Sequence, residues 1–349
     1  MDGAPLEADV TRVIVLGGQG QFGRAAVEQL RISGISPIIA GRGAMADLEV
    51  EADAPASVRA AFSPGHLVVD TAGPFHKRSL ALLEAAIEIG FDVIDINDNL
   101  AYAEQILALE PRIAGAGIRV LSSASSVSAI AAAMVRRSAL DAPMRVTGFL
   151  APASRYSANR GSALSLIQSL GGPVRAWRHG CLQTLRGWAE RRPFTMPYPI
   201  GPICGRLFES ADAVWLPRIW PSLLEVEMYV DANTLGVNGL LDLGARCPAF
   251  RRLLERRVDL GARIARAIGT KAGGIGYEIE DAGRTVVRFA VLSGKTGHLT
   301  AVAPAVLAAR AILTGRLTAT GLILPDRQVE PSELTDYLTS SGIEVVDLP

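Results

Sequence analysis

Residues 13–24 read Val13-Ile-Val-Leu-Gly17-Gly18-Gln-Gly20-Gln-Phe-Gly23-Arg24. Four consecutive apolar residues, a glycine cluster and a helical pattern through Arg24–Leu30 make a strand, a tight turn and a helix, with Gly34 as the stop. Gly18-x-Gly20-x-x-Gly23 has the spacing of a dinucleotide-binding turn. The first glycines allow the turn, Gly20 lets the backbone approach a pyrophosphate, and Gly23 lets helix pack on strand. The helix N-terminus then offers free N–H groups and the positive end of its dipole. Gly17, Gly18, Gly20, Gln21, Phe22 and Gly23 are therefore the first candidate cofactor-binding residues. The competing reading is a glycine-rich structural turn, and the flanking sequence decides between them.

Outward from this unit, short apolar runs alternate with helical patterns. Strands are expected at Ile35–Ala40, Asp47–Val50, His66–Asp70, Asp92–Ile96 and Arg119–Leu121. Helices are expected near Ala56–Phe62, Arg78–Ile89 and Leu100–Ala116. Such alternation means right-handed crossovers and a parallel sheet covered on both faces. It ends at Asp141-Ala-Pro143. The middle of the chain holds all four tryptophans (Trp177, Trp188, Trp215, Trp220) and a proline-crowded stretch, 193–202. Alternating segments at Met144–Leu150, Glu225–Tyr229, Tyr277–Glu280 and Val286–Leu292 predict an antiparallel sheet with one wet face, the last two joined at Asp281-Ala-Gly283-Arg. The tail is helical over Leu299–Leu313 and Ser332–Ser341. The fold class expected is α/β: a Rossmann domain over 1–142, an inserted α+β domain over 143–296, and a C-terminal segment, 297–349, packing back on the first domain. The 349 residues suit two domains at roughly 100–200 residues each.

A NAD site wants Asp or Glu at the end of the second strand to hold the ribose 2′-hydroxyl. Here the chain reads Ile39-Ala-Gly41-Arg42-Gly43, with no acid and with a guanidinium available for a 2′-phosphate. That favours NADP (NADPH), with Gly41 and Arg42 as ligands. Ligands of open α/β sheets lie outside the carboxyl ends of the strands. Ala72, Gly73, Pro74 and Phe75 should therefore border the nicotinamide, and Asp95, Asn97 and Asp98 the substrate. Asp98 equally suits a cap for the following helix. Ser122, Ser123, Ser125 and Ser126 suit helix capping better than catalysis. In the second domain, Tyr156, His179 and Lys295 are the candidate proton donors, Arg155 and Arg160 suit a carboxylate clamp, and the stretch 193–202 could cover the site.

Composition excludes several other classes. Lys+Arg and Asp+Glu both number 35, which gives nucleic acid no electrostatic hold. Only Lys77, Lys271 and Lys295 are lysines, so a single arginine carries little information. Cys181, Cys204 and Cys247 are too few and too scattered for a disulfide framework or zinc ribbon, and the four histidines form no metal motif. No apolar run approaches the ~20 residues of a membrane span. The acidic stretch Met1 to Arg12 has no apolar signal core. A cytoplasmic protein without an integral membrane segment is expected. Tyr102, Tyr156 and Tyr277 lack a lysine four residues on, and Phe289 stands where a triphosphate-binding loop before Lys295 needs glycine. Phe250–Ile268 is a basic amphipathic helix, read as a solvated face, with anionic lipid as the other reading.

The Gly-Gly-x-Gly-x-Phe-Gly-Arg turn, Ala40-Gly41-Arg42, Ala72-Gly73-Pro74-Phe75 and Asp95-Ile-Asn97-Asp98 together resemble the saccharopine dehydrogenase-like oxidoreductases. Asn159-Arg-Gly161-Ser162 resembles that family's Gly-Thr helix start, and Gly315 to Pro325 its C-terminal return. The resemblance implies a Rossmann domain with an inserted substrate domain, NADP use, often a homodimer, and hydride transfer to or from a C=N or C=O group of a small substrate such as an amino or keto acid. One segment departs. Saccharopine-forming members carry Cys-Gly-x-Asp-Pro-Gly after the last Rossmann strand, where this chain has Ser123-Ala-Ser-Ser-Val-Ser128. A catalytically silent NADP-binding redox sensor is the alternative that this departure permits.

Overall fold

The computed structural model describes residues 11–349; most of the acidic stretch Met1 to Arg12 lies outside the described residues. The fold is α/β with two sheets. The first holds seven strands, β1 (Val13–Leu16), β2 (Ile38–Gly41), β3 (Leu48–Glu49), β4 (Leu67–Asp70), β5 (Asp92–Asp95), β6 (Arg119–Leu121) and β15 (Gly321–Leu322), in the order β15-β6-β5-β4-β1-β2-β3. Every neighbouring pair is parallel. β1 and β4 are fully buried, as strands covered on both faces must be. The order reverses between β1 and β4, which opens a crevice at their carboxyl ends.

Helices α1 (Gln21–Ile32), α2 (Pro55–Ala61), α3 (Ala81–Ile89), α4 (Leu100–Ala108), α5 (Glu110–Ala116) and α6 (Ala129–Arg137) form the crossovers and the exit from β6. The single helix expected over Leu100–Ala116 is two, because Pro111 starts a new one and cannot continue the old.

The second sheet contains β7 (Pro143–Ala151), β8 (Pro173–Arg178), β9 (Cys181–Arg186), β10 (Arg191–Thr195), β11 (Pro202–Phe208), β12 (Glu225–Val230), β13 (Gly273–Asp281), β14 (Val286–Ser293) and β16 (Glu344–Leu348). Its main path is β10-β11-β12-β7-β13-β14-β16, with β8 beside β12 and β9 beside β8. It is mixed rather than antiparallel throughout, since β7 and β12 run parallel. The long connection between them supplies the crossover such a pair needs, and strand-by-strand alternation cannot reveal it. Four helices lie in that connection and just after it: α7 (Ser154–Ser157), α8 (Arg160–Ser169), α9 (Asp212–Ile219) and α10 (Val237–Arg246). Phe250–Ile268 is not one helix but parts of α11 (Pro248–Arg256) and α12 (Val258–Ile268), and Leu253, Leu260, Ile264 and Ile268 face outward between the arginines.

The proline-crowded stretch is the hairpin of β10 and β11, with Pro193 on an edge strand where a missing N–H is tolerated. Phe194 stacks on Phe149 with ring centroids 4.4 Å apart, so this stretch belongs to the second sheet's core and not to a cover over the first sheet. The tail is shared. α13 (Ala303–Leu313) packs on α1 and the first sheet, β15 joins that sheet, and α14 (Pro331–Ser340) packs on α6. The last strand, β16, instead pairs with β14 of the second sheet. No helix among the described residues is long and apolar enough to cross a membrane.

Candidate functional site

The glycine turn sits at the carboxyl end of β1. Gly17 has φ +79°, and a Cβ there would lie 2.8 Å from the Ala72 backbone, so the β1 and β4 loops touch through it. A Cβ on Gly23 would lie 2.1 Å from the Gly17 carbonyl oxygen, which is the helix-on-strand contact. Gly20 differs: its φ of −69° suits any residue, and its Cβ would meet only the Gly17 oxygen, at 3.2 Å. Its outer side is open. Gly20 is also the N-cap of α1 and supplies no side-chain acceptor, so the first N–H groups of α1 are left for a ligand.

At the end of β4 stands a pair that sequence reasoning missed. Asp70 is fully buried, and Arg78 Nη1 lies 2.9 Å from its Oδ2. Asp70 Oδ1 accepts from the Ala72 N–H at 2.9 Å, while Arg78 Nη1 donates to the Ala72 carbonyl at 2.7 Å. The pair thus pins the Ala72–Phe75 loop from both sides. Burial alone would lower the Arg78 pKa, but Asp70 reverses this and raises it, so the guanidinium stays charged. The signal was an Asp ending a buried strand with an Arg eight residues on, too common in this chain to single out.

Asp95 ends β5, in register with Asp70. It is buried, and Oδ1 accepts from the Asn97 and Ser123 N–H groups and from the Ser122 hydroxyl, while Oδ2 has no partner. Burial pushes its carboxyl up to about 7, against the hydrogen bonds that pull it down. Asn97 is buried and holds the Asn99 N–H. Asn99, not Asp98, caps α4 by accepting from the Tyr102 N–H at 3.0 Å. Asp98 is exposed, beside His76. His76 is a second group the sequence reading passed over. Partial burial and then Lys77 lower its pKa against the opposing pull of Asp98, and the net shift favours neutral imidazole.

The serine segment faces the second sheet. Ser123 Oγ accepts from the buried Trp215 indole at 2.9 Å, and the Ser126 carbonyl accepts from Tyr277 Oη, also at 2.9 Å. Asp212, at the start of α9, is buried beside Ser128 and Ser210, and burial pushes it up to about 7. Asp95 and Asp212 therefore bind protons in the folded chain over a range where the unfolded chain has released them. The unfolded state binds fewer protons between about pH 4 and pH 7, so these groups make stability fall as pH rises through that window. Chemical denaturation at pH 5 and pH 8 should show lower stability at pH 8, with a shallower fall in Asp95→Asn. An unchanged slope in that variant would refute the assignment.

The second sheet's connections bring Tyr156 and Asn159 to the glycine turn. Gln21 Nε2 donates to the Tyr156 carbonyl at 3.4 Å, and Asn159 Nδ2 donates to Gln21 Oε1 at 2.9 Å. Asn159 also caps α8 in a capping box with Ser162. Lys295 is exposed just before a 3-10 turn, Gly297–Leu299, that packs on α1 and α7 and carries His298. The Tyr156 backbone thus meets the start of α1, and Lys295 lies two residues before a turn that packs on α1. His179 does not reach α1: it is exposed in the β8–β9 turn, beside Glu225 and the Arg145 end of β7, whereas Tyr156 follows the Ala151 end, ~20 Å along the strand. Arg160 pairs with Asp259 of α12, and Arg155 donates to the Ala267 carbonyl, so both hold α12.

Arg42 follows β2 and is 77% exposed. The acid-free reading of this strand end is corrected by the fold: Glu51, two residues after β3, lies alongside, 3.7 Å from Arg42 Nη1. No cluster of metal ligands occurs among the described residues.

No family model matches the chain, and no curated protein matches it by sequence. Among solved structures, it is similar to apo saccharopine dehydrogenase (L-Glu forming) from Saccharomyces cerevisiae, at TM-score 0.58 and 13% identity, covering 97% of this chain and all of that one. A meso-dapdh variant with DAP from Clostridium tetani E88 is a more distant match, at TM-score 0.45 and 12% identity over 94% of this chain and 98% of that one. The fold is therefore saccharopine dehydrogenase-like, with both sheets included.

Proposed function

We propose that this chain binds NADP(H) and is an oxidoreductase acting on a C=N or C=O group of a small substrate, an amino or keto acid among the candidates. The observation that carries the reading is the crevice between β1 and β4. An uncapped helix N-terminus and an open Gly20 face it, at the one place in the parallel order where the strand sequence reverses. When bound, NADP(H) supplies or accepts the hydride. The chain's own task is to hold, orient and exclude water.

In this reading the N–H groups of α1 hold the diphosphate and Gly41 and Arg42 the 2′-phosphate. The Ala72–Phe75 loop, rigidified by Asp70 and Arg78, borders the nicotinamide. Asp95, Asn97 and Asp98 edge the substrate, and Trp215 and Tyr277 close the far side. Tyr156 and Lys295 remain candidate proton donors on the side of the glycine turn. His76, beside Asp98 at the strand ends, takes the place expected of His179.

Cofactor choice is tested by titrating NADPH and NADH. NADPH should bind more tightly, and Arg42→Ala should narrow the gap by roughly 10-fold or more, the worth of a charge-assisted hydrogen bond. Glu51→Gln should widen it, because removing a carboxylate 3.7 Å from Arg42 frees the guanidinium and removes repulsion of a phosphate. Equal affinities in the parent chain would overturn the NADP assignment. Oxidation of NADPH by one member of a panel of imines and ketones tests the enzyme reading. Tight NADPH binding with no turnover on any member would favour the silent sensor.

A further inference from the structure

Away from the crevice, the end of β9, the start of β10 and the face of α10 enclose a cavity of about 210 Å³ lined by Arg186, Trp188, Arg191, Asp242 and Arg246. Three arginines and one carboxylate line it. The carboxylate is already committed: Asp242 Oδ2 is 2.7 Å from Arg191 Nη2 and 2.9 Å from Arg206 Nη2, and its Oδ1 accepts from Arg206 Nε at 3.1 Å. Three of the lining carbonyls are committed too. Those of Arg186, Gly187 and Ala245 accept from the Ala189 N–H, the Gly171 N–H and Arg186 Nη2 respectively.

What remains to be satisfied are donors. Arg246 is exposed at the last turn of α10 and has no hydrogen-bond or ion-pair partner among the described residues. The Trp188 indole N–H is buried, in a residue only 3% exposed; it lies near the Asp242 carboxylate but makes no well-formed hydrogen bond to it. A buried donor without an acceptor is costly, and Trp188 is also held at φ +65°, a backbone region a bulky residue rarely adopts. A wall of unsatisfied donors with excess positive charge matches a ligand made of acceptors.

We infer that this cavity is a binding site for a small oxyanion of phosphate type, held by Arg246 and Arg186 with the Trp188 indole as a neutral donor. At about 210 Å³ it takes a phosphate or phosphoryl group with a few waters, and not a dinucleotide. The inference is independent of the oxidoreductase reading.

The test follows the indole N–H signals of the full chain by NMR while inorganic phosphate, and separately glycerol 3-phosphate, is added at constant ionic strength. This readout is local, so phosphate entering at the N-terminus of α1 does not mimic it. Trp188→Phe assigns the signal; if that variant does not fold, replacing the other three tryptophans singly assigns it by elimination. The Trp188 signal should move saturably, and Arg246→Ala should weaken the effect by about tenfold or more. Arg112→Ala, which removes an exposed arginine elsewhere, should not. Tighter glycerol phosphate would identify the phosphoryl group of an organic ligand, and tighter phosphate the free ion. A Trp188 signal that stays still, or equal titrations in Arg246→Ala and Arg112→Ala, would overturn the proposal.

Discussion

Gly20→Val should abolish NADPH binding and leave unfolding close to that of the parent chain. The backbone at Gly20 is ordinary for any residue, and the only atom a Cβ would approach is the Gly17 oxygen at 3.2 Å. The fold therefore accepts a side chain once the Gly17 carbonyl gives by a few tenths of an ångström, and the space that side chain fills is the one the pyrophosphate needs. Gly23→Val makes the opposite demand. Its Cβ would lie 2.1 Å from one backbone atom and 2.6 Å from another, so α1 would have to move off β1. Overpacking of this kind costs on the order of 1–3 kcal/mol or more and should lower the melting temperature outright. Two glycines three residues apart thus separate binding from folding. Cofactor titration with thermal unfolding on both variants checks it, and NADPH binding retained in a stable Gly20→Val would place the cofactor elsewhere.

Those two glycines were legible because their spacing is short and local. The same holds for β1, β4 and β5, whose apolar runs match the structure to within two residues. What could not be read was whatever depends on distant segments meeting. Glu51 comes beside Arg42 because β3 adds to the sheet edge, so a strand end without an acid in sequence has one in space. Asn99 rather than Asp98 caps α4 because the helix begins at Leu100, which puts Asn99 at the N-cap, a choice that two adjacent polar residues do not disclose. His179 was drawn in by residue type alone. The β8–β9 hairpin carries it to the far end of a strand, whereas the link of Gln21 to Tyr156 and Asn159 spans some 135 residues and no local pattern encodes it. The parallel pairing of β7 with β12 belongs to the same class, since both orientations give the same alternation.

The largest expected loss of stability comes from Arg78→Ala. It leaves Asp70 buried with its Oδ2 facing no cation, and breaking a buried pair from one side costs about 3–5 kcal/mol. Asp70→Ala should cost less, because Arg78 keeps Asp53, 3.2 Å from its Nε. An apolar replacement of both, Asp70→Leu with Arg78→Met, should recover most of the stability, as uncharged groups of similar size carry no desolvation penalty. It should not recover cofactor binding. The pair also holds the Ala72 N–H and carbonyl, and an apolar pair offers neither an acceptor nor a donor to the loop that closes against Gly17. Denaturant unfolding and NADPH titration on the three variants should therefore part company: stability falls and returns, while affinity falls and stays low. Affinity returning together with stability would mean that the ion pair serves the fold alone and that the Ala72–Phe75 loop needs no pinning to receive its ligand.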